Sequence, residues 1–317
     1  MFENKDINSE AVTNIYQGSP SSVVEQIAIL QQRGMIIDNF ELANKFLEEV
    51  YFHRFLSYSV PFFAHTNGKK YIPNTHFKQV VQIYKFDSKL RILLLDVIEI
   101  IEISIRTQFI KLSWKYGPHF YSNHKLFYEH KQLNDTLERL QYQLKNSQDL
   151  LIYQYYTRYN YPELPPVWVA MELFTIGQLV KLIANLKHLE DRNSIAEFYH
   201  LPYSVFIAVL DNLTLIRNNC AHHARIWNQH FTFNCAWDSD LGQKLEHLCQ
   251  DGKIYSILLL ITHLLSSLEV NKANQFVQNL TNLITKYQVN VELMGFSPDW
   301  QTKFHYIMEQ KYAFKEK

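Results

Sequence analysis

From Asp87 to Tyr116 the chain sets Leu90, Leu94, Val97, Ile101, Ile105 and Phe109 three or four residues apart, then stops at Gly117-Pro118. That spacing is the period of an α-helix, and a glycine-proline pair ends one. Apolar residues occupy its other faces too, so this helix is expected at the centre of the core. Nearly every other segment has the same period. Ser21 or Ser22 can cap a first helix reaching about Arg33, and a second is expected from about Asn39 to Leu56. Phe77–Phe86 reads as a short aromatic segment ahead of the long helix. Further helices are expected within Lys131–Tyr156, at Trp168–Phe174, at Gly177–Leu189, from Pro202 onward, at Ile254–Leu268, at Ala273–Tyr287 and after Pro298. No run alternates convincingly with period two, and only Phe231–Trp237 has the character of a short strand. The expected fold class is all-α, a helical bundle without internal repeats.

Composition agrees with a packed helical protein. Of 317 residues, 47% are hydrophobic and 20% charged, with only 8 glycines and 9 prolines, so a core is expected rather than disorder. The aromatic share of 15% reads mainly as core volume. Charge balances at 31 basic against 31 acidic residues, so any nucleic-acid contact must come from a local patch. Cys220, Cys235 and Cys249 form no CxxC pair and are odd in number, the usage of a reducing compartment. Met1–Pro20 is polar and unlike a secretory leader, and Ile254–Leu268 is too short to span a bilayer. A cytoplasmic protein with no membrane partner is expected. The proline-rich stretch Pro162–Pro166 divides the chain into a tail (1–20), an N-terminal helical part (21–165) and a C-terminal helical part (166–317).

The chemistry concentrates at residues 217–228, Arg-Asn-Asn-Cys-Ala-His-His-Ala-Arg-Ile-Trp-Asn. Phe206, Val209, Leu213 and Ile216 form an apolar stripe, and Arg217 follows one turn after Leu213. Arginine is rarely buried without a partner or a task. Pairing with a core carboxylate and a functional role are both open for it. Asn218 and His222 are four apart and share a helical face, whereas Arg217 and His222 are separated by about 140° on an ideal helix. A long arginine can swing toward the imidazole at a phosphate set beside the helix, or two such helices can face each other. These are groups that cut RNA without a metal. A ribose 2′-hydroxyl attacks the adjacent phosphate, His222 moves the proton as general base or acid, and Arg217 offsets the developing charge while Asn218 orients a histidine or the phosphate. His223 is a second imidazole for the same role, and Arg225 and Asn228 are candidate RNA contacts.

Elsewhere, Glu102 and Arg106 sit four apart on the most apolar helix and read first as an ion pair that fixes packing. Arg106 is also a candidate RNA contact, with Glu102 as its support. Trp168 and Glu172 form a similar i, i+4 pair, read as structural support. His222, His223 and His230 match no metal-ligand spacing, and Asp238–Gly242 lacks the ligands of a calcium loop. There is no glycine-rich phosphate loop and no GxSxG. No metal or cofactor is expected.

Arg217-Asn218-x-x-x-His222 resembles the R-polar-x(3)-H motif of HEPN ribonucleases, and the longer string RNNCAHHARIWN resembles the signature of abortive-infection proteins of the Abi-like, AbiD/AbiF type. Other segments agree in order. They are Arg54-Phe55-Leu56-Ser57-Tyr58 with Pro61-Phe62, Tyr84-Lys85-Phe86-Asp87 with Leu90-Arg91, Ile101 to Thr107, and Pro166-Val167-Trp168 with Glu172 and Gly177. The resemblance covers roughly residues 25–235. It implies a helical bundle of HEPN type with additional N-terminal and C-terminal helices, a role in anti-phage defence, and RNA cleavage as the toxic activity. It also implies an RNA substrate, a homodimer with a composite site, and a small regulatory RNA or antitoxin as a restraining partner. The alternative it leaves is a catalytically silent HEPN module that binds RNA or a protein partner.

Overall fold

Ser22 opens the first helix with a reciprocal pair of bonds. Its hydroxyl accepts from the Glu25 backbone N–H at 3.3 Å, and the Glu25 carboxylate accepts from the Ser22 N–H at 2.7 Å. The computed structural model that contains this helix describes residues 21–64, 70–231 and 252–309. The chain forms two compact units, divided after Tyr84. Among the described residues there are helices and isolated bridges but no strand. All-α is therefore the fold class.

The first unit holds α1 (Val23–Gln32), α2 (Phe40–Glu49), α3 (Phe52–Ser59) and the first residues of α4 (Phe77–Lys111). The single helix expected over Asn39–Leu56 is two. Asn39 caps α2, and the chain leaves helical geometry at Val50 (φ −126°, ψ 110°). Nine residues of uninterrupted helix would set Phe46 and Phe55 about 13 Å apart along the axis. The break brings their ring centroids to 6.1 Å, and both rings meet Phe77. Burial of these rings decides against the longer helix.

The second unit carries the rest of α4, then α5 (Ser113–Tyr116), α6 (His130–Asn146), α7 (Leu150–Arg158), α8 (Val167–Ala170), α9 (Ile176–Asn185), α10 (Leu189–Glu197), α11 (Tyr203–Ala221), α12 (Ile254–Leu268), α13 (Val270–Tyr287) and α14 (Trp300–Glu309). α4 does not begin at Asp87. Val80, Ile83 and Phe86 are buried in step with Leu90 and Leu94, so the stripe extends back to Phe77. The helix expected within Lys131–Tyr156 is again two, because Asp149 takes the N-cap of α7 and accepts from the N–H groups of Leu151 and Ile152. Pro162–Pro166 lies inside the second unit. Of the expected strand only Phe231 is described, and its N–H bonds the Gly252 carbonyl at 2.7 Å. The remainder of that stretch, Asp238–Gly242, Cys235 and Cys249 lie outside the described residues.

α11 packs against α9, α10 and α12, and α12 against α13 and α14. α12 is buried on every face from Ile254 to Ser267. Its polar side chains must therefore be paired internally. Thr262 donates to the Leu258 carbonyl, and His263 Nε2 donates to the Tyr199 carbonyl at 2.9 Å. Ser267 donates to that same carbonyl, while the Tyr199 hydroxyl meets Ser104 of α4 at 2.8 Å. Tyr199 thus ties α4, the end of α10 and α12 together. No helix among the described residues is long and apolar enough to cross a membrane.

Burial holds the His263 imidazole down at about 4, against an ordinary 6.5. The unfolded chain takes up this proton from pH 6.5 downward, the folded chain only near pH 4. Stability is therefore complete above pH 6.5 and falls through the window between the two, by up to about 3 kcal/mol. His263→Gln, whose amide can still donate to Tyr199, should flatten the pH dependence of urea unfolding between pH 6.5 and 4. An unchanged slope would refute the assignment.

Candidate active site

The apolar side of α11 is fully packed. Phe206, Val209, Leu213, Ile216 and Cys220 are all buried, while Asn218 is exposed and Arg217 lies at the boundary between the two. The helix stops with His222 as its cap. The His223 N–H bonds the Cys220 carbonyl at 3.1 Å, and the Ala224 N–H bonds the Asn219 carbonyl at 2.8 Å. This is a Schellman termination, and it requires the next residue to be left-handed. His223 occupies that position with φ +57°. Histidine tolerates the left-handed region better than most side chains do. Both imidazoles point from the helix end and are exposed.

The chain just past the histidines is held from below. Ile226 and Trp227 are completely buried. Their backbone N–H groups both donate to one oxygen of Asp87, at 3.0 and 2.7 Å. Asp87 is itself completely buried and ion-paired to Arg91, one turn later on α4. Arg91 also donates to the Ala224 carbonyl at 3.4 Å. One acid–base pair thus grips three peptide groups between Ala224 and Trp227. Cys220 lies in the same layer, and burial pushes its thiol up to about 12, which removes it as a nucleophile. Asp87 and Arg91 are supports of the site that the sequence pattern alone did not reveal. The available signal was their i, i+4 spacing on the apolar stripe of α4.

Arg217 donates to the neighbouring Asn218 Oδ1 at 3.4 Å, a weak contact, and enters no ion pair among the described residues. A core-carboxylate partner is therefore absent from its described surroundings. It lines an open cleft of about 400 Å³ with Glu99, Glu102, Arg106 and Glu172. Arg106 is committed within that cleft. It bonds Glu102 at 2.6 Å and the carbonyls of Met171 and Phe174 at 2.5 and 2.8 Å. The Glu102–Arg106 pair thereby fixes the turn that presents Glu172. Trp168 is half-exposed, and α8 ends at Ala170, so Trp168 and Glu172 do not share a helix.

His222 and His223 do not line this cleft. Arg225 reaches Gln229 at 3.2 Å, and Asn228, also left-handed, accepts from Lys253 at 3.0 Å. The structure therefore groups Arg217 with Asn218 and the cleft, and groups the two histidines at the helix end just ahead of Arg225. Among the described residues no three His, Cys, Asp or Glu side chains gather to hold a metal ion. An uncommitted guanidinium can receive an anion, and an exposed imidazole can exchange a proton with a bound ligand.

The profile of a family described as Abi-like protein matches residues 45–228, more than half of the chain. Its last residue is Asn228, immediately after the peptide groups that Asp87 and Arg91 grip. No curated protein matches the chain, and no solved structure does.

Asp87→Ala should cost about 3 to 5 kcal/mol in urea unfolding, because it leaves the Arg91 charge buried and two N–H groups unpaired. Asp87→Asn, which keeps an acceptor, should cost less. At the helix stop, His223→Val should be about 1 kcal/mol less stable than His223→Gly, since only the second relieves the left-handed backbone. Equal stability of these two variants would contradict a Schellman stop at His223.

Proposed function

We propose, on the premise that this chain belongs to the Abi-like protein family, that it is a metal-independent endoribonuclease of the HEPN class, acting as a toxin-like effector in abortive infection. The observation that carries this is Arg217. Of the three arginines set among the apolar stripes of α4 and α11, Arg91 and Arg106 are consumed by carboxylates and carbonyls, while Arg217 keeps its charge available in an open cleft.

In this reaction the ribose 2′-oxygen forms a bond to the adjacent phosphorus and the bond to the 5′-oxygen breaks. His222 takes the 2′-proton or delivers one to the leaving 5′-oxygen, with His223 as the second imidazole. The products are a 2′,3′-cyclic phosphate and a 5′-hydroxyl. Arg217 offsets the charge that grows on the phosphorane, and Asn218 steers the guanidinium. A guanidinium supplies the cation, so the chemistry requires no metal, and DNA, lacking the 2′-hydroxyl, is not cut.

Glu99, Glu102 and Glu172 line the same cleft and oppose a phosphate within it. In this reading the reacting group meets Arg217 from the side of the helix end, where the imidazoles are exposed. Two facing copies of α11 would let Arg217 of one copy and His222 of the other share a phosphate, which is the composite homodimer. A restraining RNA or antitoxin belongs to the same reading. The acidic lining favours one second reading, a silent module that docks a cationic protein partner.

Purified protein should cleave labelled RNA in the presence of EDTA and leave cyclic phosphate ends. Arg217→Ala and His222→Ala should each lower the rate by about 10² or more while remaining folded by circular dichroism. Unchanged cleavage in both variants removes the assignment, and tight RNA binding by a protein that cleaves nothing points to the silent module.

A further inference from the structure

Within the second unit α4 keeps one face in solvent. Lys85, Lys89, Asp96 and Glu99 are exposed, and so are Ile92 (57%) and Ile103 (55%). Steps of four, three, four, three and four residues hold all six within about 80° of one another on an ideal helix. The face separates two clefts. Lys89, Ile92 and Asp96 line one of them with Asn282 and Lys286 of α13, while Glu99 and Ile103 line the cleft of Arg217. Charges are ordinary on a solvent-facing helix, and isolated exposed isoleucines need no explanation. The order of the charges is what is not ordinary.

The signs are sorted. Lys85 and Lys89 precede Ile92, and Asp96 and Glu99 follow it. In this part of α4 the ion pairs among the described residues are Asp87–Arg91 and Glu102–Arg106, so these four charges are unpaired there. Like charges three or four residues apart repel along a helix, and an alternating order would have paired them. The surroundings keep the same polarity. The Tyr287 ring meets Phe86 at 6.3 Å, which sets Lys286 at the basic end. At the acidic end Glu102 is bound to Arg106, and Glu172 and Arg217 bear opposite charges. A two-fold axis across α4 at Ile92 turns this order into complementarity. Two antiparallel copies bring Ile92 against itself, Lys85 opposite Glu99 and Lys89 opposite Asp96, each pair made twice. The register fits, since Lys85 and Glu99 each stand seven residues from Ile92, and Lys89 and Asp96 stand three and four from it. A parallel pair would set lysine on lysine.

We infer that the exposed face of α4 is a self-association surface, on which a second copy of this chain packs antiparallel about a two-fold axis at Ile92. A row of two lysines, an isoleucine and two carboxylates is complementary to its own reverse, and this selects a second copy over an unrelated partner. Exposed ion pairs fix orientation and register more than affinity, so the contact is weak and sensitive to salt. It is distinct from the facing of two α11 helices and does not rest on RNA cleavage. It touches the proposed site at one point. Glu99 lines the Arg217 cleft, so Lys85 of the second copy offsets one of the carboxylates that oppose a phosphate there.

The test is sedimentation equilibrium of the full-length protein without RNA, at micromolar concentration and low salt. Wild-type protein should exceed the mass of one chain, and added salt should lower that mass. The double substitutions Lys85→Glu, Lys89→Glu and Asp96→Lys, Glu99→Lys should each weaken association about a hundredfold, because like charges then face each other across the axis. An equimolar mixture of the two variants should regain the wild-type mass, since one chain then presents four acids and the other four lysines. Ile92→Cys should form a disulfide-linked dimer on mild oxidation beyond the wild-type level, whereas Ile103→Cys, about 16 Å further along α4, should not. A single-chain mass for the wild type overturns the inference. So does a mass that neither double substitution lowers, or a mixture no heavier than its components, with every variant folded by circular dichroism. Should a double substitution unfold the chain, the Ile92→Cys crosslink decides, and its absence overturns the inference. Protein that associates through α4 yet cuts no RNA removes the ribonuclease reading and leaves this one standing, and cleavage by a single-chain protein does the reverse.

Discussion

A buried carboxylate that feeds two peptide N–H groups is the constraint on which the rest of the site depends. The chain beyond α11 must bury Ile226 and Trp227, and buried backbone donors without acceptors are costly. Asp87 answers both donors with one oxygen, and Arg91 neutralises Asp87 and holds the Ala224 carbonyl. A charged pair of this kind adds little net stability over an apolar replacement, yet it is expensive to break. Its effect is one of position. It leaves a single way for the chain to turn after His222 and His223, and so places the end of α11 against α4.

The same economy governs other polar groups of the second unit. His263, Ser267, Ser104 and the Tyr199 peptide and hydroxyl satisfy one another where α4, α10 and α12 meet. Arg106 satisfies two carbonyls of the turn after α8 and one carboxylate. Where the arginines of α4 are bound so firmly, an arginine at the edge of the core whose one hydrogen bond among the described residues goes to a neighbouring amide stands apart. Arg217 is that exception, and it lies on the helix whose end the Asp87–Arg91 pair secures. The reaction proposed above would draw on such a charge, since a donor set in advance needs no reorganisation.

Much of the helical order was legible from apolar spacing. The capping serine of α1, the glycine stop after α5, the proline at the start of α11 and the bounds of α12 are local signals, and they are found where the residues indicate. The departures have physical causes. Asn39–Leu56 and Lys131–Tyr156 have continuous helical period, but the first is broken because rings apart along the chain must meet, and the second because Asp149 offers a better cap than continued helix. Phe77–Phe86 belongs to α4, and its aromatic content masks an unbroken stripe.

By itself the sequence determined the all-α class, the position of most helices and the cluster of arginine, amide and imidazole at residues 217–228, because periodicity and composition are properties of neighbouring residues. Only the tertiary structure decided how far each arginine is committed. Arg91 and Arg106 each follow a carboxylate by four residues, which the chain shows, whereas Arg217 follows Leu213 at that spacing. The carbonyls that complete the binding of Arg91 and Arg106 lie up to 133 residues away, contacts that no local pattern encodes. The exposed rings of α7 are the converse case. The aromatic share of the chain reads mainly as core volume, yet the fold leaves Tyr153 and, at the helix end, Tyr159 more than half exposed, because burial is set by which elements pack over a residue and not by its type.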